Sequence, residues 1–471
     1  MTRPLSEAEE GRARQLHAEA YVFAAHTDFI AGVSEGRSRG ERGVAARLHL
    51  PLLRVGGVKA VCEHVAGDTP YFSTFAFRNI RPLQPTKFAL QALDYWHSEL
   101  AETRDWHLVL ESEDFRRAEQ AGRVAVVFGF EGAMPIDDDL GILRMFHRLG
   151  IRSVGLTWNG RNLLGDGVAV GSGGGLTRFG RTAVAELNRL GIVIDVSHMA
   201  DDGIRDSIEA SADPIMASHS NARALCAHPR NLPDDLARQL ARRGGVIGLH
   251  MLAQFITSST EATLDQFLDH IDHFARLVGP AHVGLGPDCM EQWPLDVYRS
   301  LWAGTEMAAL EFRYPAEFDS LAKCLNVTRG LVARGYDDEA IRGILGGNVL
   351  RVFESVLARR RRETESWCGG AGGAPARPAR AATTPRGLPS TRRAGRSGTE
   401  AWPARRGPRH ARSERHRPAA GLIGGGRLPF ASNPAAHVPS DLSADLRHHR
   451  GVIRDAETTG RGGRQPRSRR R

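Results

Sequence analysis

Lysine is almost missing from this chain of 471 residues: only Lys59, Lys87 and Lys323 stand among its 63 basic side chains. A metal centre bridged by a modified lysine therefore has few residues to draw on. Cysteine is as sparse. Cys62, Cys226, Cys289, Cys324 and Cys368 are odd in number, far apart and form no CxxC pair, which argues against both a disulfide framework and a cysteine-built zinc site. No stretch reaches the roughly 18 to 20 consecutive apolar residues that a membrane helix needs. The start, MTRPLSEAEEGRARQLHAEA, is polar where a secretory signal has an apolar core. These absences predict a soluble, cytoplasmic protein with no membrane partner. A dinucleotide fingerprint is missing too, because no GxGxxG follows the first apolar run. The glycine-rich GSGGGLTRFG (Gly171 to Gly180) lacks the Lys-Ser/Thr ending of a phosphate loop and reads as a flexible connection.

Charge divides the chain. Residues 359–471 hold 26 Arg, no Lys and 8 acidic residues, against 37 basic and 46 acidic residues in the first 358. The overall excess of positive charge thus belongs to the C-terminal segment, whose Arg, Gly, Pro, Ala and Ser cannot bury enough apolar surface to offset chain entropy. Residues 359–471 are expected to form a disordered basic tail of low complexity, binding nucleic acid at most weakly and without sequence preference through Arg–phosphate contacts.

Residues 1–358 repeat one unit, a short apolar run ending at a polar residue and then a helix-like stretch. The runs are Tyr21 to Asp28, Val58 to His64, Val124 to Gly132, Ile151 to Trp158, Gly191 to His198, Pro214 to Ser220, Gly245 to Met251 and His282 to Asp288. Amphipathic segments such as DDLARQLARRGG and LDQFLDHIDHFARLVG separate them. Eight such repeats predict an α/β fold, a (β/α)8 TIM barrel of the metal-dependent hydrolase type, in preference to an open doubly wound sheet. A closing helix, DDEAIRGILGGNVLRVFESVLA, carries a Gly-Gly-Asn that marks a break between two helical pieces.

Barrels of this kind build their sites at the C-terminal ends of the strands. Here those ends read His26 and Asp28, Glu131, His198, His219 and Asp288. An apolar strand has no packing reason to finish in a group that is costly to desolvate, and five of eight do so. Imidazoles and carboxylates converging on one rim suit one or two zinc-type ions. Alternation along a strand points His26 and Asp28 the same way, so they can grip one ion; Glu131 can reach between two, and His198 and His219 can hold the second. Two such ions sharing a carboxylate and a hydroxide provide a nucleophile at neutral pH, which is hydrolytic chemistry.

The motifs H-x-D, E-G, D-x-S-H and A-S-H-S-x-A-R-x-L-x-x-H-P-R-N-x-x-D occur here in one order, densest in LNRLGIVIDVSHMADD and PIMASHSNARALCAHPRNLPDDLARQLARRGGVIGL, then HVGLGPD and ILGGNVLRVFE. In these the chain resembles the membrane (renal) dipeptidase family, the M19 zinc peptidases, from about His26 to Phe353. The resemblance implies a binuclear zinc dipeptidase with a small dipeptide substrate, two Zn²⁺ per chain held by His26, Asp28, the bridging Glu131, His198 and His219, and a homodimer as the common assembly. It further implies that Arg230 anchors the substrate carboxylate with two parallel hydrogen bonds, and that Asp288, with Glu131, serves catalysis by exchanging a proton with the attacking water and leaving amine.

The chain departs from the pattern in three places. Trp158, followed by Asn159, stands where many members have the His of Leu-Thr-His; the two are expected in the substrate site, although indole cannot accept a hydrogen bond. Ala133 replaces a glycine after Glu131-Gly132, and Cys289-Met290-Glu291 follows Asp288 where Phe-Asp-Gly is common. His64, His228 and His250 read as structural, and Cys289 has no activating partner in sequence. Two alternatives stay open: another amidohydrolase acting on β-lactams or N-acyl amino acids, and a binding barrel that has lost turnover.

Overall fold

The computed structural model describes residues 3–68, 84–171, 174–296, 299 and 311–369, with side chains as far as 358. The chain divides into two units, Met1–Pro378 and Ala379–Arg471. The second, and with it nearly all of the expected disordered tail, lies outside the described residues.

The described residues contain nine strands: β1 (Val22–Thr27), β2 (Val58–Gly67), β3 (Trp106–Leu108), β4 (Val124–Glu131), β5 (Ile151–Gly155), β6 (Val193–Asp195), β7 (Met216–Ala217), β8 (Val246–Leu249) and β9 (Val283–Leu285). All pairings are parallel, in the order β2-β1-β9-β8-β7-β6-β5-β4, and a β2–β4 pairing closes the ring. This is the expected TIM barrel, and each of its eight strands falls on one of the eight apolar runs. β3 is an addition to them. It lies outside the ring, paired with the start of β4 through Trp106↔Val124 and Leu108↔Val126.

Strands buried on both faces need apolar residues throughout, and β1, β4 and β8 have no exposed position. The helices bury one stripe each. Leu264–Val278 starts with a capping box, in which the Thr263 side chain accepts from the Gln266 N–H and the Gln266 side chain accepts from the Thr263 N–H. It turns Phe267, Leu268, Ile271 and Phe274 inward, and each such burial stabilises the fold by about 1.5–3 kcal/mol. Asp234–Arg242 carries Asp234 and Asp235 in its first turn and Arg242 in its last, matching the helix dipole, and buries Leu236, Ala237 and Leu240. The closing segment breaks where Gly-Gly-Asn predicted. Asp338–Arg342 passes through one wide turn, Gly343–Gly347, into Asn348–Gly369, so the backbone stays helical past the boundary expected at 358. Gly346 is required there, since a Cβ would stand 2.1 Å from the Tyr21 carbonyl oxygen at the entry to β1.

Because every strand runs the same way, the ends of β1, β2 and β4 to β9 open on one rim. The described candidate residues all lie there.

Candidate metal centre

β1 delivers His26 and, one residue past its end, Asp28; β4 ends on Glu131. His198 and His219 follow β6 and β7 by three and two residues, and Asp288 follows β9 by three. All six are buried or nearly so. His26 Nε2 faces three carboxylates, at 3.3 Å from Asp28 Oδ2, 3.6 Å from Asp288 Oδ1 and 3.7 Å from Glu131 Oε1. Glu131 Oε1 also stands 2.9 Å from His198 Nε2 and 3.5 Å from His219 Nε2, so Glu131 is central to the group. Glu131 Oε2 is buried without a hydrogen-bond partner among the described residues.

The tautomers follow from the outer partners. His198 Nδ1 lies 2.7 Å from Asn159 Oδ1, an acceptor, and therefore carries the proton. His219 Nδ1 lies 2.7 Å from Ser218 Oγ, whose own proton goes to Asp195 Oδ2 at 2.5 Å. It too is the protonated nitrogen. Both Nε2 atoms consequently present lone pairs, yet they face each other across 2.9 Å beside a carboxylate oxygen. Lone pairs so placed repel unless a proton or a metal ion lies among them. The donor set thus fits a divalent metal, with Glu131, His198 and His219 offering ligand atoms all within 4.8 Å of one another and His26 with Asp28 belonging to a second such group.

The pKa shifts follow burial and the crowding of these charges. Burial opposes protonation of His26, but Asp28, Asp288 and Glu131 together pull it up to about 10. Burial pushes Asp28 up to about 6 against the pull of His26, with the Asp288 carboxylate adding to the rise. Glu131 lies well above the usual carboxylate range, through burial and then Asp28. His198 and His219 are held well below the ordinary imidazole value by burial and by the charges of Arg230 and His26, so both remain neutral as ligands must be.

Asp288, the expected proton carrier, has a neighbour that the geometry adds. His250 accepts the Leu252 N–H at Nδ1 (3.1 Å) and so carries its proton on Nε2, 2.9 Å from Asp288 Oδ2. Burial opposes ionisation of Asp288, but His250, His26 and Arg230 hold its carboxyl well below the usual range. His250, read from sequence as structural, therefore belongs to the centre. His64 stacks on His26 at 4.1 Å between ring centroids and shares a possible ligand group with His26 and Asp28. His228, expected to be structural, accepts the Arg230 N–H at Nδ1 (3.1 Å) and also lines the cavity over the centre.

A cavity of about 330 Å³ opens over these groups. Arg230 lines it, buried, donating to His219 O (3.0 Å) and Ser220 Oγ (3.2 Å). Trp158 and Asn159 line it as well; the Trp158 ring centroid lies 5.7 Å from that of His198. Asn159 has a second role that its sequence position did not suggest, the bond to His198 Nδ1. Leu252, Phe255, Met290, Trp293 and Phe312 make much of the remaining wall.

The family model described as membrane dipeptidase (peptidase family M19) matches residues 10–298. The chain belongs to the membrane dipeptidase family. The candidate ligands, Trp158, Asn159, Arg230, His250 and Asp288 all lie within the matched part of this M19 chain. Among relatives, it is 30% identical over 276 residues to human Dipeptidase 3, covering 57% of this chain and 52% of that protein. It is 33% identical over 239 residues to Dipeptidase aclJ of Aspergillus oryzae, covering 50% and 52%. The match thus spans about half the length of these curated relatives. Among solved structures, a metallopeptidase from Rhodobacter sphaeroides, liganded with a phosphinate mimic of the dipeptide L-Ala-D-Ala, superposes with a TM-score of 0.60 at 26% identity, covering 72% of this chain and 99% of that one.

Proposed function

We propose that this M19 chain is a binuclear zinc dipeptidase. The observation that carries the reading is the convergence of His198 Nε2, His219 Nε2 and Glu131 Oε1 at the floor of a cavity that Arg230 also lines. His26 and Asp28 would hold one ion, His198 and His219 the other, and Glu131 both. When bound, such a pair lowers the pKa of water and polarises a carbonyl.

The chain's own residues do the rest. Arg230 presents a planar guanidinium suited to a free carboxylate, which selects a substrate ending one residue beyond the scissile bond. Asp288, fixed by His250, faces the centre through Oδ1 and is placed to take a proton and return it to the leaving amine. Trp158, Phe255 and Trp293 surround the substrate with apolar surface and exclude water, which strengthens the electrostatic interactions inside. The Rhodobacter sphaeroides relative with its L-Ala-D-Ala mimic supports a dipeptide, with a D-residue accepted at the C-terminal position.

The test is hydrolysis of a dipeptide panel, including L-Ala-D-Ala and L-Ala-L-Ala, by protein of measured metal content. Release of free amino acids with close to two zinc ions per chain is expected, with loss on chelation and recovery on adding Zn²⁺. Dipeptide bound without turnover would make the chain a binding barrel and overturn the reading.

A further inference from the structure

We infer that Asp195 and Ser218 are positioning residues: acting through His219, they fix which of its nitrogens faces the metal centre and so secure one of the two ions selectively. The inference rests on the binuclear reading above.

Asp195 ends β6 and is 1% exposed. Its oxygens are taken up by three donors: Oδ1 accepts from the Ser197 N–H (3.0 Å) and the Ser218 N–H (2.9 Å), and Oδ2 accepts the Ser218 hydroxyl at 2.5 Å. Asp195 also falls within ligand distance of His26 and His219, but a carboxylate engaged by three donors is not available to a metal. A serine has one hydroxyl proton. With that proton given to Asp195, Ser218 Oγ can only accept from His219 Nδ1 at 2.7 Å, and Nε2 is left as the lone pair facing Glu131. The negative charge of Asp195 is thereby transmitted through one hydroxyl to the imidazole, which fixes its orientation and raises its basicity as a ligand.

The seat of this relay is tightly built. A Cβ at Gly286 or Gly248 would stand 1.7 or 2.0 Å from the Ser218 carbonyl oxygen, so β8 and β9 approach Ser218 as closely as they do only because both positions lack a side chain. The His219 N–H donates to Ser197 Oγ (3.1 Å) and Arg230 donates to the His219 carbonyl (3.0 Å), which fixes the backbone of the ligand from both sides. His198 is held differently, by the neutral amide of Asn159 at its Nδ1. The charge-backed ligand of that ion is His219.

The experiment is competition for Zn²⁺ between a chromophoric chelator and the full-length protein, comparing wild type with Ser218→Ala and Asp195→Asn. Asp195 also holds two backbone N–H groups, so its variant can fail to fold; Ser218→Ala removes the relay and one long contact to Ser197 Oγ (3.4 Å) and leaves those bonds in place. Ser218→Ala is expected to weaken one zinc by roughly 10- to 100-fold while the other keeps close to its wild-type affinity. Asp195→Asn, where it folds, should weaken the same ion. A general loosening of the fold would weaken both ions alike, and that result, or wild-type affinity at both sites in Ser218→Ala, overturns the relay. Wild-type protein that binds fewer than two zinc ions would instead overturn the binuclear reading on which the relay rests.

Discussion

Asp288→Asn separates the proton carrier from the ligands. The substitution conserves shape, so it leaves no cavity. The backbone tolerates it as well: Asp288 sits at φ 52°, a left-handed conformation that asparagine adopts as readily as aspartate. The substituted amide can still turn its carbonyl oxygen to His250 Nε2, which lies 2.9 Å from the native carboxylate, and present its NH₂ group toward His26. What is lost is the ability to take and return a proton. General acid–base groups contribute about 10²- to 10⁴-fold in rate, or roughly 3–5 kcal/mol of barrier. The expected result is a fall in kcat of that size with KM little changed, two zinc ions per chain and cooperative unfolding as in wild type. The assay is steady-state hydrolysis of one dipeptide alongside metal analysis of the same sample. A variant keeping more than half of the wild-type kcat would show that another group moves the proton. One that loses a metal would show that Asp288 is itself a ligand.

Three further outcomes are expected. His198→Ala or His219→Ala should lower zinc content toward one ion per chain with loss of turnover; full occupancy by metal analysis would refute the ligand set. Arg230→Leu should cost a free dipeptide roughly ten- to a hundred-fold in kcat/KM, as for a charge-assisted hydrogen bond, and its C-terminal amide far less; equal losses would make Arg230 structural. His49 is stacked on Phe29, the residue after Asp28, at 3.9 Å between centroids, with neither ring nitrogen partnered among the described residues. Burial lowers it to about 3. Below about pH 6.5 the unfolded chain takes up a proton there that the folded chain refuses, so stability drops as pH drops, by about 1.4 kcal/mol per unit from this group. His49→Phe should flatten the decline between pH 6.5 and 5 in denaturant midpoints, and parallel curves for the two proteins would exclude it.

The barrel was legible because its strands are buried on both faces, which forces continuous apolar runs such as Val124 to Phe130 and leaves the first polar residue to mark the rim. β3 was not legible for the opposite reason. Its three residues, Trp106, His107 and Leu108, lie at the edge of β4 and two of them are only half buried, so they form no apolar run. The ligand candidates were readable as strand-end residues, but their partners were not, because those depend on which strands are neighbours. β8 and β9 pair Leu249 with Leu285, which brings the residues just beyond them, His250 and Asp288, within reach of each other although 38 positions apart. Asn159 reaches His198 because the loop after β5 folds back over β6, where the Val168 N–H donates to the His198 carbonyl at 2.8 Å.

Backbone conformation was the part least open to sequence reasoning, and it is informative. His198 and Asp288 are two of four described non-glycine residues with positive φ, at 71° and 52°. Sequence rules assign such positions to glycine, since a side chain there costs on the order of 1 kcal/mol or more. Glycine at either position would relieve that cost and remove the group that reaches the centre. Both residues lie just past a strand end, where ring closure fixes the strand and the loop must turn back within three residues. A left-handed residue makes that turn while keeping its side chain over the barrel mouth. The same pair of residues thus breaks the local rule and reaches the centre, as expected where packing around a site over-determines the backbone.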